Sequence, residues 1–187
     1  MTYVLLGVGA IVVLLLIIII TIYNKLVQGR QRVRNAWSQI DIQLQRRFDL
    51  IPNLVETVKG YMTHESETLT KIAELRTSWA GASSLSEKAN LDNQLSGALK
   101  TIMAVSENYP DLKANQNFIA VQTELASTEN KLSFSRQFYT DTTTKYNTEL
   151  EVFPSNIIAG MFGFKPEELF KIESEEAKQN VKVDFNK

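Results

Sequence analysis

The chain has no cysteine and a single histidine, His64, among its 187 residues. The lack of cysteine excludes disulfide bonds and thiol nucleophiles. Glycine and proline are also scarce, at eight and four residues. So few turn-forming residues are typical of a chain built from long helices.

A single histidine gives little material for a metal or nucleophilic centre. A zinc-protease helix has a second histidine four residues after the first, but Thr68 stands four residues after His64. No Gly-x-Ser-x-Gly motif occurs, and residues 160–165 lack the spacing of a phosphate-binding loop. We therefore predict no catalytic, metal or cofactor-binding residues, no cofactor and no enzymatic activity. The alternative is a membrane-tethered, metal-dependent hydrolase that uses His64 with nearby carboxylates.

Charges of the two signs almost balance, with 20 lysines and arginines against 21 aspartates and glutamates and a net charge of −1. Nucleic-acid-binding domains usually carry a clear basic excess. We therefore expect no nucleic-acid partner.

The N-terminal segment has no charge. Between Tyr3 and Ile20 no side chain is charged or strongly polar, and the apolar character extends to Tyr23. A helix of this length covers about 30 Å, the hydrocarbon thickness of a bilayer. A cleaved signal peptide would have a basic start, a shorter core and a small-residue cleavage site. We predict a transmembrane anchor over residues 1–23, with the bilayer as a partner.

Basic residues follow this anchor but do not precede it. The C-terminal flank carries Lys25, Arg30, Arg32 and Arg34, whereas the N-terminal flank has only the α-amino group. Such residues are retained on the cytoplasmic side and can contact anionic lipid. We expect a single-pass protein of the inner (cytoplasmic) membrane, with its N-terminus outside and its C-terminal domain in the cytoplasm.

An apolar stripe with steps of three and four residues follows the anchor, at Val33, Trp37, Ile40, Leu44, Phe48, Ile51, Val55, Val58 and Met62. This spacing predicts one long helix continuous with the anchor. Pro52 removes a backbone hydrogen bond, so a bend is expected there. The register of Leu69, Ile72 and Trp79 favours a helix that continues, unbroken or slightly broken, to about Trp79. A hairpin near His64 is the alternative.

Three further helices are predicted. Ser84 and Glu87 have the spacing of a capping box and begin a helix that ends near Pro110. The next helix is expected from near Asp111 to about Leu150. Ser155 is then expected to cap a short helix over residues 156–161. The apolar residues 153–170 either close one end of a helical bundle, the favoured interpretation, or contact the bilayer interface.

Several strings of residues resemble the LemA family. They include Ala36-Trp37-Ser38-Gln39-Ile40-Asp41, Asp49-Leu50-Ile51-Pro52-Asn53-Leu54-Val55 and Tyr109-Pro110-Asp111-Leu112-Lys113-Ala114, with further matches at residues 23–27, 43–47, 58–61, 64–65, 129–131, 136–139, 146–147 and 153–155. The resemblance runs to about Phe170 and implies an all-α fold, in which an N-terminal transmembrane helix precedes an elongated antiparallel bundle of four helices. It implies no enzymatic activity. The expected domains are the anchor over residues 1–23, the bundle over 24–172 and a charged tail over 173–187.

The candidate partner-binding surface consists of polar residues beside the stripe, namely Arg46, Arg47, Asp49, Asn53, Lys59, His64 and Glu65. A solvated helix face with intrahelical ion pairs, worth about 0.2–0.5 kcal/mol each, is the structural alternative.

We predict a membrane-anchored interaction or scaffold protein. The stripe is longer than a short bundle needs, which favours a homo-oligomer, and another membrane protein is a further candidate partner. The alternative to a scaffold, besides the hydrolase, is a lipid-sensing or membrane-shaping element that uses the basic flank with Phe162-Gly163-Phe164.

Overall fold

The computed structural model describes residues 1–62 and 65–169, and every regular element in these ranges is a helix. In chain order the helices are α1 (Thr2–Asp49), α2 (Ile51–Lys59), α3 (Ser66–Gly81), α4 (Leu85–Ser106), α5 (Pro110–Lys113), α6 (Gln116–Glu151) and α7 (Ser155–Phe162). The described residues contain no strand, which confirms the all-α prediction. Four helices are long, and three are short pieces beside turns.

Helix α1 joins the apolar segment to the rest of the chain without interruption. It has 48 residues, and its N-terminal apolar part is exposed except at Ile19 and Ile22, which are partly buried. By length and composition it is the helix in the described part of the chain that can cross a membrane. The predicted continuity of the apolar segment with the helix that follows it is confirmed.

The helix is interrupted at Leu50, two residues before Pro52, where a bend was predicted. Helix α1 ends at Asp49, Leu50 is a turn residue with helical dihedrals (φ −77°, ψ −18°), and α2 begins at Ile51. The amide of Leu54 donates to the carbonyl of Leu50 at 3.0 Å, so helical bonding resumes at once. Proline has no N–H to donate to the carbonyl of Phe48, and this missing hydrogen bond accounts for the interruption.

The prediction of a helix continuing to Trp79 is wrong, and the hairpin is correct. Helix α2 ends at Lys59, α3 begins at Ser66 and packs against α2. Near the end of α3, the ring of Trp79 stacks on Phe48 with centroids 4.5 Å apart, so the chain has turned back. Gly60 at the end of α2 has low helix propensity, and the reversal buries the apolar face of α3. The predicted position of the hairpin, His64, lies outside the described residues.

The start of α4 is confirmed, whereas the start of α6 differs from the prediction. The hydroxyl of Ser84 accepts from the amide of Glu87 at 3.2 Å, as a capping box requires. The helix expected from Asp111 is divided into the four-residue α5 and the long α6. The division occurs at Asn115, whose side-chain oxygen accepts from the amides of Asn117 (2.9 Å) and Phe118 (3.3 Å).

Ser155 does not cap α7 as predicted, because it is the first residue of the helix and Pro154 precedes it. Proline suits this position because a helix start needs no N–H donor there. At the other end Gly163 adopts a left-handed conformation (φ 68°), and the amide of Phe164 donates to the carbonyl of Ala159 at 2.9 Å. Only glycine adopts this conformation without strain, so Gly163 sets the direction in which the chain leaves α7.

The described residues form two compact units. The first comprises Met1–Asp41 and Ser133–Leu169, and the second comprises Ile42–Leu132. In the first unit the buried stripe of α1 faces Tyr139 and Tyr146 of α6. The second unit has its own core, which includes Phe48, Leu54, Ile72, Leu95, Ile102 and Phe118.

Candidate functional site

The basic residues after the apolar segment lie in the first unit and have different environments. The ammonium of Lys25 is 3.2 Å from a carboxylate oxygen of Glu149 on α6. The guanidinium of Arg30 stands over the ring of Phe164, 5.2 Å from its centroid. Arg32 and Arg34 are exposed. Two of the four basic residues thus help to hold the C-terminal part of this unit against α1.

Helix α7 packs beside the end of the apolar segment. Ile158 and Ala159 form a buried cluster with Leu26, and Ile19 and Ile22 pack against that cluster. The buried side of α7 therefore fits the favoured interpretation, in which residues 153–170 close a helical core. The other side is exposed, including Ile157 and Met161.

Two phenylalanines after this cluster surround Tyr23. Its ring contacts Phe162 and Phe164 edge-to-face, with centroids 4.9 Å and 5.7 Å away. Such edge-to-face pairs favour one ring orientation over others. Tyr23 is also where an interfacial aromatic residue is expected at the end of a membrane span.

The segment after α7 is fixed along α6 by side chains that donate to its backbone. The hydroxyl of Tyr146 donates to the carbonyl of Lys165 (3.2 Å), and that of Tyr139 donates to the carbonyl of Glu168 (2.7 Å). Between them the amide of Asn147 forms two bonds of 2.9 Å with the backbone of Glu167. Residues 164–169 are thus a strap across α6, which we call the C-terminal strap.

Burial raises the pKa of both tyrosines. For Tyr139, a hydrogen bond with Thr143 partly opposes that effect. For Tyr146, the positive charge of Arg30 opposes it and Glu167 adds to it. The raised pKa extends the pH range over which each phenol is a donor to the strap.

Gly29 allows Tyr146 to lie close to α1. A Cβ atom placed on Gly29 would be 3.0 Å from Cδ2 of Tyr146, closer than ordinary packing permits. Glycine in a helix interior costs about 1 kcal/mol relative to alanine, so the close approach explains its presence there.

In the second unit the adjacent residues Arg46 and Arg47 have opposite environments. Arg47 is 5% exposed and its guanidinium lies 2.8 Å from Asp92, which is fully buried, and 2.7 Å from Glu129. Arg46 forms an ion pair with Glu124 in which its side chain stays about half exposed. Arg47 therefore lies inside the unit and not on the surface proposed from sequence.

The other members of that surface have different environments. Asp49 accepts a hydrogen bond from Gln45 at 2.8 Å, and Asn53 and Lys59 are exposed. Glu65 is half-buried and accepts from the hydroxyl of Tyr109 at 3.1 Å and 3.2 Å. His64 lies outside the described residues.

The bond with Glu65 affects the titration of Tyr109. The pKa of Tyr109 is raised by burial first, and the neighbouring carboxylate raises it further. Glu65 thus connects the start of α3 to the turn before α5 through a protonated phenol.

Residues 1–62 and 65–169 contain no group of three or more histidine, cysteine or acidic side chains placed to hold a metal ion. Sequence reasoning missed Asp92, although it stands three residues after Ala89 and three before Leu95, both buried. A carboxylate at helical spacing from buried apolar residues was the sequence pattern that could have predicted an internal ion pair.

Comparison with known proteins gives consistent matches. The family model described as the LemA family matches residues 36–185. The chain is similar to Protein LemA of Metamycoplasma hominis, with 26% identity over 137 residues that cover 73% of this chain and 63% of that protein. It is also similar to the magnetosome proteins MamQ 1 and MamQ 2 of Paramagnetospirillum magneticum, each 26% identical over 175 residues, covering 80% of this chain and 64% of the relative. The chain therefore spans less than two thirds of the length of these relatives.

Proposed function

Because the chain belongs to the LemA family, we propose that it is a non-enzymatic interaction protein which holds a helical domain at the cytoplasmic face of the inner membrane. The observation that carries this proposal is the continuity of α1. The same helix leaves most of its apolar segment exposed and then buries Val33, Ala36 and Ile40. A continuous helix fixes the domain to the bilayer without a flexible linker.

The distribution of charge supports the proposed orientation. Lys25, Arg30, Arg32 and Arg34 all follow the apolar segment within about three turns, and no basic side chain precedes it. The N-terminus is then outside and the domain in the cytoplasm.

Cysteine labelling tests this orientation directly, because the natural chain has no cysteine. Thr2→Cys and Ser86→Cys each place one thiol at an exposed position, before the anchor and at the start of α4. We expect a membrane-impermeant maleimide to label Thr2→Cys in intact spheroplasts, and Ser86→Cys only after permeabilisation. The unmodified chain gives the background. The reverse labelling pattern would contradict the orientation.

Self-association is the second part of the proposal. On α6, Phe134 and Phe138 are one helical turn apart and are 74% and 52% exposed. Two neighbouring aromatic side chains in water are costly, and they mark contact surfaces more often than isolated apolar residues do. We propose that a second copy of the chain covers them.

The mass of the protein in lipid nanodiscs tests self-association. We expect a discrete multiple of the 21.2 kDa chain. Replacing Phe134 and Phe138 by serine should weaken the assembly at least tenfold, because burying one such side chain contributes about 1.5–3 kcal/mol. Ile42→Ser, at an exposed position of α1, is the control and should leave the mass unchanged. A strictly monomeric natural chain would remove this part of the proposal.

A further inference from the structure

Helix α7 and the residues before it leave apolar side chains uncovered next to the membrane segment. Phe153, Ile157, Met161 and Phe162 are each more than half exposed. We propose that these side chains insert into the headgroup–acyl boundary of the bilayer that α1 crosses, so that α7 is a second, interfacial membrane contact. This proposal rests on the proposed anchoring of the chain by α1, and it does not depend on the orientation of the chain or on its self-association.

The position of α7 along α1 determines how deep α7 lies in the bilayer. Its buried residues Ile158 and Ala159 pack with Leu26, Ile19 and Ile22, and Phe162 contacts Tyr23. Residues 19–26 include the last turn of the apolar segment and the first turn beyond it. A helix held at this level lies where the hydrocarbon ends, which is the depth that amphipathic interfacial helices occupy.

The exposed side of α7 is apolar, as contact with the bilayer at this depth requires. Ile157 and Met161 are one turn apart, on the side away from the Leu26 cluster. Helix α7 contains no charged residue, and only Ser155 and Asn156 are polar. A helix that is apolar on both sides is stable when both are removed from water. Helix α1 covers one side of α7. The other side of α7 lies next to the exposed surface of the apolar segment, which includes Ile18 and Ile20.

The ends of α7 are held in place, so its exposed side has a defined direction. The left-handed Gly163 ends the helix, and the C-terminal strap begins at Phe164. Phe164 is partly buried against the Leu26 cluster and lies under Arg30, so it belongs to the protein core and not to the inserted surface. Of the string Phe162-Gly163-Phe164 that sequence suggested for membrane contact, the inserted surface includes only Phe162.

Fluorescence quenching by lipid tests the proposal on the full chain. Ile157→Cys, Met161→Cys and Ile42→Cys are labelled with an environment-sensitive fluorophore and reconstituted in phosphatidylcholine vesicles. The vesicles contain, or lack, lipid that is spin-labelled near the headgroup end of its acyl chain. Ile42 is the control because its exposure, 60%, is close to the 52% of Ile157. It lies on α1, 19 residues beyond Tyr23, or about 28 Å along the helix.

We expect the spin-labelled lipid to reduce fluorescence about twofold or more at positions 157 and 161, and to leave position 42 unchanged. An Ile20→Cys label reports the anchor itself, because Ile20 is 58% exposed and lies three residues before Tyr23, near the depth of the spin label. Quenching at position 20 but at neither 157 nor 161 would overturn the inference while leaving the anchor intact. In that case aqueous iodide distinguishes a water-exposed α7 from one covered by another protein, and either result rejects lipid insertion. Failure at position 20 would instead remove the membrane anchor on which the proposed function depends.

Discussion

Replacing Arg47 by alanine is expected to lower the free energy of unfolding by about 3–5 kcal/mol, the cost of breaking a buried ion pair from one side. The carboxylate of Asp92 is fully buried and its 2.8 Å bond to Arg47 supplies positive charge there. Without that cation the buried carboxylate loses a charge partner that water cannot replace. Glu129 loses the same contact, but its side chain is 45% exposed and can be solvated.

The neighbouring Arg46→Ala is the matched control, because it removes the same charge from the same helix. Its partner is Glu124, and both side chains of that pair are substantially exposed. Exposed ion pairs contribute at most about 1 kcal/mol, so Arg46→Ala should have a small effect. Urea denaturation of the full chain in detergent, followed by helical circular dichroism, measures both values. Equal losses for the two variants would contradict the assignment of Arg47 to the interior.

A double replacement distinguishes the loss of a charge partner from a loss of packing. Arg47→Met together with Asp92→Leu removes both charges and keeps apolar volume. Replacing a buried pair by apolar side chains is often neutral or stabilising, so this variant should recover most of the stability lost in Arg47→Ala. If the double variant were as unstable as the single one, shape and not charge would account for the loss.

The sequence predicted the helical stripe because its information is local. Each step of three or four residues returns the chain to the same face of a helix, and Val33, Ile40, Leu44, Phe48 and Ile51 are all buried. The interruption near Pro52 was predictable for a similar reason, because the missing N–H of proline affects only its own turn.

The interior position of Arg47 could be predicted only in part. Arg47 lies three residues after Leu44 and four before Ile51, so the periodicity places it toward the buried face, whereas Arg46 points away. The partner could not be predicted, because Asp92 is 45 residues distant and reaches Arg47 only once α4 has packed. The C-terminal strap could not be predicted for the same reason, because its partners are distant in the sequence. Tyr139 and Tyr146 of α6 bind backbone groups that lie 29 and 19 residues further along the chain.

The reversal between α2 and α3 was missed because both alternatives satisfy the same local pattern. Leu69, Ile72 and Trp79 keep helical spacing whether α3 continues α2 or folds back on it, and both arrangements bury these residues in some partner. The contact of Trp79 with Phe48 and Gln45 distinguishes them, since it exists only in the folded-back chain. The stability of that contact can be measured.

Phe48→Ala is expected to reduce the free energy of unfolding by about 3–5 kcal/mol, because it removes a fully buried aromatic side chain and leaves a cavity. The stacked ring of Trp79 loses its partner as well, and such pairs contribute about 0.5–1.5 kcal/mol beyond area burial. The chain has two tryptophans. In a Trp37→Phe background, emission therefore reports Trp79 alone, and it should shift to longer wavelength as water reaches the indole.

Ile42→Ala in the same background is the control, since Ile42 lies on α1 less than two turns before Phe48 and is 60% exposed. It should change stability by less than about 0.5 kcal/mol and leave the emission of Trp79 unchanged. If α3 did not fold back on α1, Phe48→Ala would leave the Trp79 emission unchanged whatever its effect on stability. A shift in emission together with the loss of stability requires the hairpin, because in a continuous helix the 31 residues between the two rings would hold them about 46 Å apart.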